Sequence, residues 1–105
     1  MTNIIVRTQF AATHCWPACN IPEVIYLRNK HRHMFHIVAK KSVLSLDREI
    51  EFIALKMKVD SYLAEYKGEL GTKSCEQLAE ELIGRFSLNY CEVSEDGENG
   101  AEVYL

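Results

Sequence analysis

Three of the four histidines lie in the short segment from His31 to His36. Successive side chains of a β-strand point to opposite faces, so His31 and His33 share one face while His36 lies on the other. Two imidazoles with this spacing can bind one zinc ion at the usual nitrogen distance of about 2.0–2.1 Å. His14, at the end of the preceding apolar segment, is the candidate third ligand. Three histidines would leave the fourth position of a tetrahedral zinc ion open to a small molecule.

The same residues permit two other interpretations. The histidines can be solvated surface residues beside a loop, because a His-x-His pair is short and common. Alternatively, Cys15 and Cys19 with His31 and His36 have a spacing close to that of a zinc finger. Finger histidines belong on a helix, however, whereas these begin a run rich in strand-forming residues. A net charge of -3 without a run of Lys or Arg also argues against nucleic-acid binding.

The first half of the chain is predicted to be a β-hairpin. Residues 3–12 are β-branched and aromatic and alternate as a strand, and residues 33–46 form a second strand. The only two prolines lie between these strands and predict a loop. Asp47 follows the second strand and is the predicted N-cap of a helix.

The second half of the chain is predicted to contain two helices and two more strands. The first helix carries an apolar stripe from Phe52 to Tyr66 and ends at the glycines that follow. A Ser-x-x-Gln capping box at Ser74 begins the second helix. Residues 88–95 and 101–105 are predicted strands, separated by Asp-Gly and Asn-Gly turn signals.

This order, ββααββ, predicts an α+β fold with an antiparallel four-stranded sheet and two helices packed on one face. The 105 residues are expected to form a single domain, residues 1–105, whose small core favours oligomerisation. No apolar run approaches the length of about 20 residues that spans a bilayer, and the first residues lack signal-peptide features. We therefore expect a cytoplasmic protein without a membrane partner, whose cysteines are thiols or ligands.

Five segments resemble the family of 6-pyruvoyl-tetrahydropterin and 6-carboxy-tetrahydropterin synthases. The segments are Phe10–His14, His31–Phe35, Ile50–Lys56, Ser74–Ala79 and Val93–Glu95. In the same order, they are similar to the family's Phe-x-Ala-Ala-His, its His-Gly-His with an aromatic residue, its Ile-Asp-Phe-x-x-Leu-Lys, its Thr-x-Glu-x-Leu-Ala and its ligand-anchoring strand. The resemblance therefore extends over nearly the whole chain.

The resemblance implies the tunnelling fold, or T-fold, with zinc held by His14, His31 and His33. It implies a homo-oligomer in which the sheets of neighbouring subunits close into a barrel, with sites between subunits. The ligand would be a pterin- or purine-like small molecule, and Glu95 and Glu76 would be among the residues that bind it. A carboxylate such as Glu95 can accept two parallel N–H bonds from the edge of such a base. From the residues alone, Glu95 can equally be an ordinary charged residue before a turn.

Two parts of the family's proton-transfer machinery have no match in this chain. The family places a cysteine where Leu27 stands, and no histidine follows His36 to supply its Asp-His pair. Cys19 is the candidate catalytic replacement if residues 23–29 loop out, and the alternative is an unused loop cysteine. Arg32 replaces the glycine between the zinc histidines and either favours a phosphorylated ligand or belongs to a solvated basic loop.

We therefore expect a zinc-containing protein that binds a pterin- or purine-like molecule without the family's turnover, such as a carrier, sensor or sequestering protein. General acid–base groups contribute about 10²–10⁴-fold to a rate, whereas binding does not require them. The alternative is a diverged synthase-type lyase that uses Cys19.

Overall fold

Two long antiparallel strands form the centre of the molecule. In the computed structural model, which describes all 105 residues, β1 spans Thr2–His14 and β2 spans His31–Val43. The two strands pair without a register shift along their whole length, so that the last residue of β1 lies opposite the first residue of β2. The predicted hairpin is confirmed. Both strands include the histidines at their ends, and β2 ends three residues earlier than the sequence predicts.

The sheet contains five strands, one more than the sequence predicts. The other elements are, in chain order, a 3₁₀ helix (Pro22–Arg28), α1 (Phe52–Ala64), β3 (Glu69–Gly71), α2 (Cys75–Phe86), β4 (Tyr90–Glu95) and β5 (Asn99–Tyr104). The strand order is β3-β1-β2-β4-β5, and β3 is parallel to β1 while the other neighbours are antiparallel. The fold is therefore α+β with a mixed sheet. Strand β3 is not predicted from the sequence, because its three residues follow a glycine and end at another.

One face of the sheet carries the hydrophobic core. Along β2, the buried residues Phe35 and Ile37 alternate with less buried ones, and Val6 and Val93 on neighbouring strands lie on the same side. Helix α1 packs against β1, and α2 packs against β4 and β5. The helices contribute to this core the side chains of Leu55, Val59, Leu63, Leu78, Ala79, Leu82, Ile83 and Phe86. The β2 side chains on the other face are only partly buried or exposed.

The two helices begin in different ways. The capping box that the sequence predicts at α2 is present, because Ser74 and Gln77 each accept the backbone N–H of the other. Helix α1 begins after Glu51, whose carboxylate accepts two N–H groups of the first turn, and not at the predicted Asp47. The carboxylate of Glu49 accepts the N–H groups of two earlier residues and so holds the segment around Asp47 in a turn. None of the helices combines the length and the apolar character that crossing a bilayer requires.

A polar cluster joins α1 to α2. The Glu81 carboxylate accepts hydrogen bonds from the hydroxyl groups of Tyr62 and Tyr66, and the Lys73 ammonium group lies 2.9 Å from it. Burial acts to raise the pKa of Glu81, but hydrogen bonds from Tyr66, Lys73 and Tyr62 outweigh burial and hold the pKa below its ordinary value. The cluster therefore fixes the segment that contains Lys73, immediately before α2.

Replacing glycine by alanine at two different positions tests this packing. A Cβ atom at Gly100 in β5 would lie 2.2 Å from the backbone oxygen of Val93, whereas a Cβ atom at Gly84 in α2 would meet nothing within 4 Å. We expect Gly100→Ala to lower the free energy of unfolding by about 1–3 kcal/mol, because the paired strands must shift. Gly84→Ala should raise it by about 0.5–1 kcal/mol, since alanine favours a helix interior. Urea unfolding measures both, and a stable Gly100→Ala variant would contradict this register.

Candidate metal centre and the adjoining cleft

Three histidine rings meet at the end of the core face of the sheet. His14 lies opposite His31 in the β1–β2 pairing, and His33 is two residues further along β2, so all three side chains lie on one side. The ring centroids are 4.6 Å apart for His14 and His31, 5.0 Å for His31 and His33, and 5.5 Å for His14 and His33. One nitrogen atom of each ring lies within 4.8 Å of the other two. The predicted ligands are therefore brought together, and this group could hold a metal ion.

Backbone carbonyl groups orient two of the rings. The Nδ1 atom of His14 lies 2.9 Å from the carbonyl oxygen of Lys73, and that of His31 lies 2.8 Å from the carbonyl oxygen of Asn29. A carbonyl oxygen can only accept, so the hydrogen of each ring is on Nδ1. The Nε2 atoms consequently carry free lone pairs, which is the tautomer that a metal ligand requires.

Asp96 orients the third ring from the turn between β4 and β5. Its Oδ2 lies 2.7 Å from Nδ1 of His33, and its Oδ1 accepts the backbone N–H of Met34 at 3.0 Å. These two contacts hold the pKa of Asp96 below its ordinary value. The turn that the sequence predicts at Asp96 and Gly97 is confirmed, with positive φ angles of 58° and 72°. A carboxylate on the outer nitrogen of a histidine is a common partner of zinc ligands.

Two ring nitrogens of the cluster are buried without a hydrogen-bond partner, namely Nε2 of His14 and Nε2 of His33. Both face the Glu95 carboxylate, at 3.0 Å from Oε2 for His14 and 3.6 Å from Oε1 for His33. A nitrogen lone pair and a carboxylate repel each other unless a proton or a cation lies between them. A divalent ion bound by the imidazoles would satisfy all of these atoms, and zinc is well suited to such nitrogen ligands.

A cleft of about 570 Å³ adjoins the histidines. His14, His31 and Glu95 form one side, and the other side includes the first turn of α2 and Trp16 from the loop after β1. Its volume falls within the range of about 300–1,000 Å³ that is usual for small-molecule sites. Trp16 is the only tryptophan and is 45% exposed, so it offers an aromatic surface to a bound molecule.

The cleft contains two of the three predicted ligand-binding residues. Glu95 and Glu76 line it, whereas Arg32 does not. Arg32 lies between His31 and His33 on β2, so strand alternation directs its exposed side chain to the opposite face. The other basic side chains near the histidines are engaged elsewhere: Arg28 donates to a backbone carbonyl of the loop, and Lys30 pairs with a carboxylate of β3.

The predicted catalytic cysteine, Cys19, does not line the cleft. Its side chain is fully buried beside the 3₁₀ helix, with Sγ 3.6 Å from the carbonyl oxygen of Val24. The sequence predicts a loop at this place, and the 3₁₀ helix closes over the thiol. Cys15, which the sequence suggests only as a zinc-finger ligand, and Cys75, for which the sequence indicates no role, line the cleft. Burial, with the Glu95 and Glu76 carboxylates, raises the pKa of the Cys75 thiol to about 12.

The zinc-finger interpretation is wrong. It requires Cys19 and His36 to join His31, but Cys19 is buried against its own loop, and His36 lies on the face of β2 opposite His31. Both histidines are on a strand rather than on a helix.

The comparisons with known proteins bear on the fold. No protein-family model matches the sequence, and no curated protein matches it. Among solved structures, the fold is similar to that of the uncharacterized protein WS1659 from Wolinella succinogenes, with a TM-score of 0.65. The two chains are 13% identical, and the match covers 98% of this chain and 97% of that one. At this identity the similarity shows a shared fold alone.

The contact between Asp96 and His33 can be tested through zinc affinity. Asp96→Asn keeps a residue that tolerates the positive φ angle of the turn, but removes the charge that orients the ring. If the three histidines hold a metal ion such as zinc, we expect the affinity of this variant for the ion to fall by about 10–100-fold, as is usual when such a partner is lost. Competition with a chromophoric chelator measures this affinity. Glu98→Gln removes a charge from the same turn without touching a histidine and should bind zinc as the wild type does. Equal affinity in Asp96→Asn would show that His33 is not oriented in this way.

Proposed function

We propose that this protein binds one zinc ion through His14, His31 and His33 and holds a pterin- or purine-like small molecule in the adjoining cleft. The observation that carries the proposal is the arrangement of the three rings, whose Nδ1 atoms contact acceptors while one nitrogen atom of each ring lies within 4.8 Å of the other two. A solvated surface histidine keeps its ring nitrogens in contact with water. Here two ring nitrogens are buried without a hydrogen-bond partner, as is expected of metal ligands.

The lining of the cleft favours a planar base with N–H groups on one edge. Glu95 presents two acceptor oxygens, which match two parallel N–H groups of a guanine-like or pterin-like ring. Trp16 offers a face on which such a ring can stack. Glu95 carries a negative charge beside the histidines, so we expect it to face the N–H edge of the base rather than a phosphate group of the ligand.

The residues around the cleft support binding without the resembled family's reaction. Leu27 stands where that family has its cysteine, and this apolar side chain lines the cleft. Cys19 is buried away from the cleft, and the sequence has no histidine after His36. Cys15 is the remaining accessible thiol beside the histidines, so a diverged synthase, which is the alternative function, would depend on Cys15 rather than on Cys19.

Fluorescence of Trp16 can detect the ligand, since it is the only tryptophan and lines the cleft. Zinc-loaded protein is titrated with a panel of pterins and guanine nucleotides, and binding should change the emission. At saturating zinc, Glu95→Gln should weaken the best ligand by about tenfold or more, because an unpaired buried donor costs about 1–3 kcal/mol. Glu98→Gln is the control. Undiminished affinity in Glu95→Gln would exclude this role for Glu95.

The same preparation separates binding from catalysis. After incubation with dihydroneopterin triphosphate, chromatography should recover the compound unchanged. Formation of a tetrahydropterin product at an enzyme-like rate, together with its loss in Cys15→Ala or Cys19→Ala, would contradict the binding function and favour the synthase.

The proposal includes assembly of several copies as a T-fold ring. The parallel strand β3 covers β1 only at Thr13 and His14, so the rest of this long strand is an uncovered edge, and β5 is the edge on the other side. Uncovered edges pair readily with strands of other chains. A ring of copies, as in the resembled family, would cover both edges and bring a neighbouring subunit to the cleft.

Sedimentation tests this assembly directly. At micromolar concentration we expect a species several times larger than the 12.1 kDa of one chain. Arg7 lies on the part of β1 that β3 does not cover. The substitution Arg7→Pro removes a backbone N–H group from this edge, so it should shift the population of species towards the single chain. A wild-type protein that sediments as a single chain would rule out the ring.

A further inference from the structure

We propose that Glu95 is the fourth ligand of the metal ion in the ligand-free protein, so that the chain itself closes a three-histidine, one-carboxylate centre. The inference rests on the metal centre proposed above and adds to it a ligand that the three histidines alone do not imply. Glu95, which is also proposed to hold the edge of the base, would then have a second role as a metal ligand.

Two distances from the Glu95 carboxylate, one to His14 and one to His33, are close to the spacing of ligand atoms around a metal ion. With metal–ligand bonds of about 2.0–2.1 Å, neighbouring ligand atoms of a tetrahedral zinc ion are about 3.3 Å apart. The two oxygen atoms of Glu95 lie 3.0 Å from Nε2 of His14 and 3.6 Å from Nε2 of His33, on either side of this value. The carboxylate therefore lies at about this spacing from two of the three rings, and we infer that one of its oxygen atoms completes the shell when the ion binds.

The position of Glu95 is set by the sheet. Glu95 is the last residue of β4 and pairs with Phe35 of β2, two residues beyond His33. Because β4 alternates, Glu95 shares its face with the buried Val93 and therefore with the histidines. The pairing of β4 with β2 therefore places the Glu95 carboxylate on the same face as the three rings.

A proton between Glu95 and the rings explains the contacts less well than a metal ion. The Nδ1 atom of His14 already donates to a carbonyl group, so a proton on Nε2 would make this ring a cation. That proton would pair His14 with Glu95 but would leave the buried Nε2 of His33 without a partner. One divalent ion would satisfy the lone pairs of all three rings and the charge of the carboxylate together.

A closed centre couples the ligand to the metal. The base edge needs both oxygen atoms of Glu95 and the metal ion needs one of them, so a base held by Glu95 must take the carboxylate away from the metal. Binding of the small molecule would then leave the fourth coordination position of the metal open. The ligands of the metal ion would therefore depend on whether the cleft is occupied.

Cobalt(II) tests the coordination directly, because its visible absorption depends on the number and kind of its ligands. Wild type, Glu95→Gln, Glu95→Ala and the control Glu98→Gln are loaded with Co²⁺, and circular dichroism checks that each variant is folded. The wild type and Glu98→Gln should share one spectrum that added acetate does not change. Both Glu95 variants should bind Co²⁺ about tenfold or more weakly, with a different spectrum. Acetate should restore a spectrum of the wild-type kind in Glu95→Ala, whose missing side chain leaves room for it.

The outcomes separate this inference from the metal centre itself. If the wild type binds no Co²⁺ or Zn²⁺, the metal centre and the inference both fail. If the wild type binds Co²⁺ and loses it in His33→Ala, but both Glu95 variants keep its spectrum and affinity, Glu95 is not a ligand while the three-histidine centre stands. An acetate-dependent change in the wild-type spectrum would likewise show that the fourth position is open and would overturn the inference.

Discussion

Along thirteen residue pairs, β1 and β2 are joined without a bulge, and this register links the hydrophobic core to the candidate metal centre. The alignment that places Val6 beside Ala39 in the core also places His14 beside His31 at the end of the same face. A slip of one residue would turn every apolar side chain of a strand to the outer face. Burial of the core therefore fixes the histidines, because they cannot separate without disturbing the packing beneath the helices.

The strands bring the rings together, but other parts of the chain set their orientation. The acceptors on the outer nitrogens come from the segment before α2, from the end of the 3₁₀ helix and from the β4–β5 turn, in the residues Lys73, Asn29 and Asp96. The segment of Lys73 is held in turn by the Glu81 cluster between the helices. The tautomer of each ring thus depends on the packing of the whole chain, which is why a His-x-His pair alone is a weak indication of a metal site.

Sequence patterns predicted the parts of this protein that depend on local chemistry. The alternation of β1 and β2, the capping box at Ser74 and the grouping of three histidines all follow from the periodicity of a strand or from the first turn of a helix. The missed features depend on contacts between distant segments. Strand β3 exists because its residues meet the end of β1, and Asp96 meets His33 across 63 residues of sequence. Cys19 is a candidate for the site only if residues 23–29 loop out, but the 3₁₀ helix takes up most of this segment and Cys19 is buried, while Cys15, next to His14, lines the cleft.

The cluster conflicts with the otherwise regular packing of the sheet face. Beside Phe35, which is almost fully buried, the face ends in two ring nitrogens without a hydrogen-bond partner and a carboxylate turned towards them. Lone pairs facing one another without a proton or cation raise the energy of the folded state, since each buried unpaired polar atom costs about 1–3 kcal/mol. Apolar side chains at these positions would remove that cost, so a sequence that served stability alone would not retain the arrangement. A cation that binds the folded protein and not the unfolded chain reverses the cost, because its binding free energy adds to the stability of the fold. The strain is thus confined to the one place where a metal ion can relieve it.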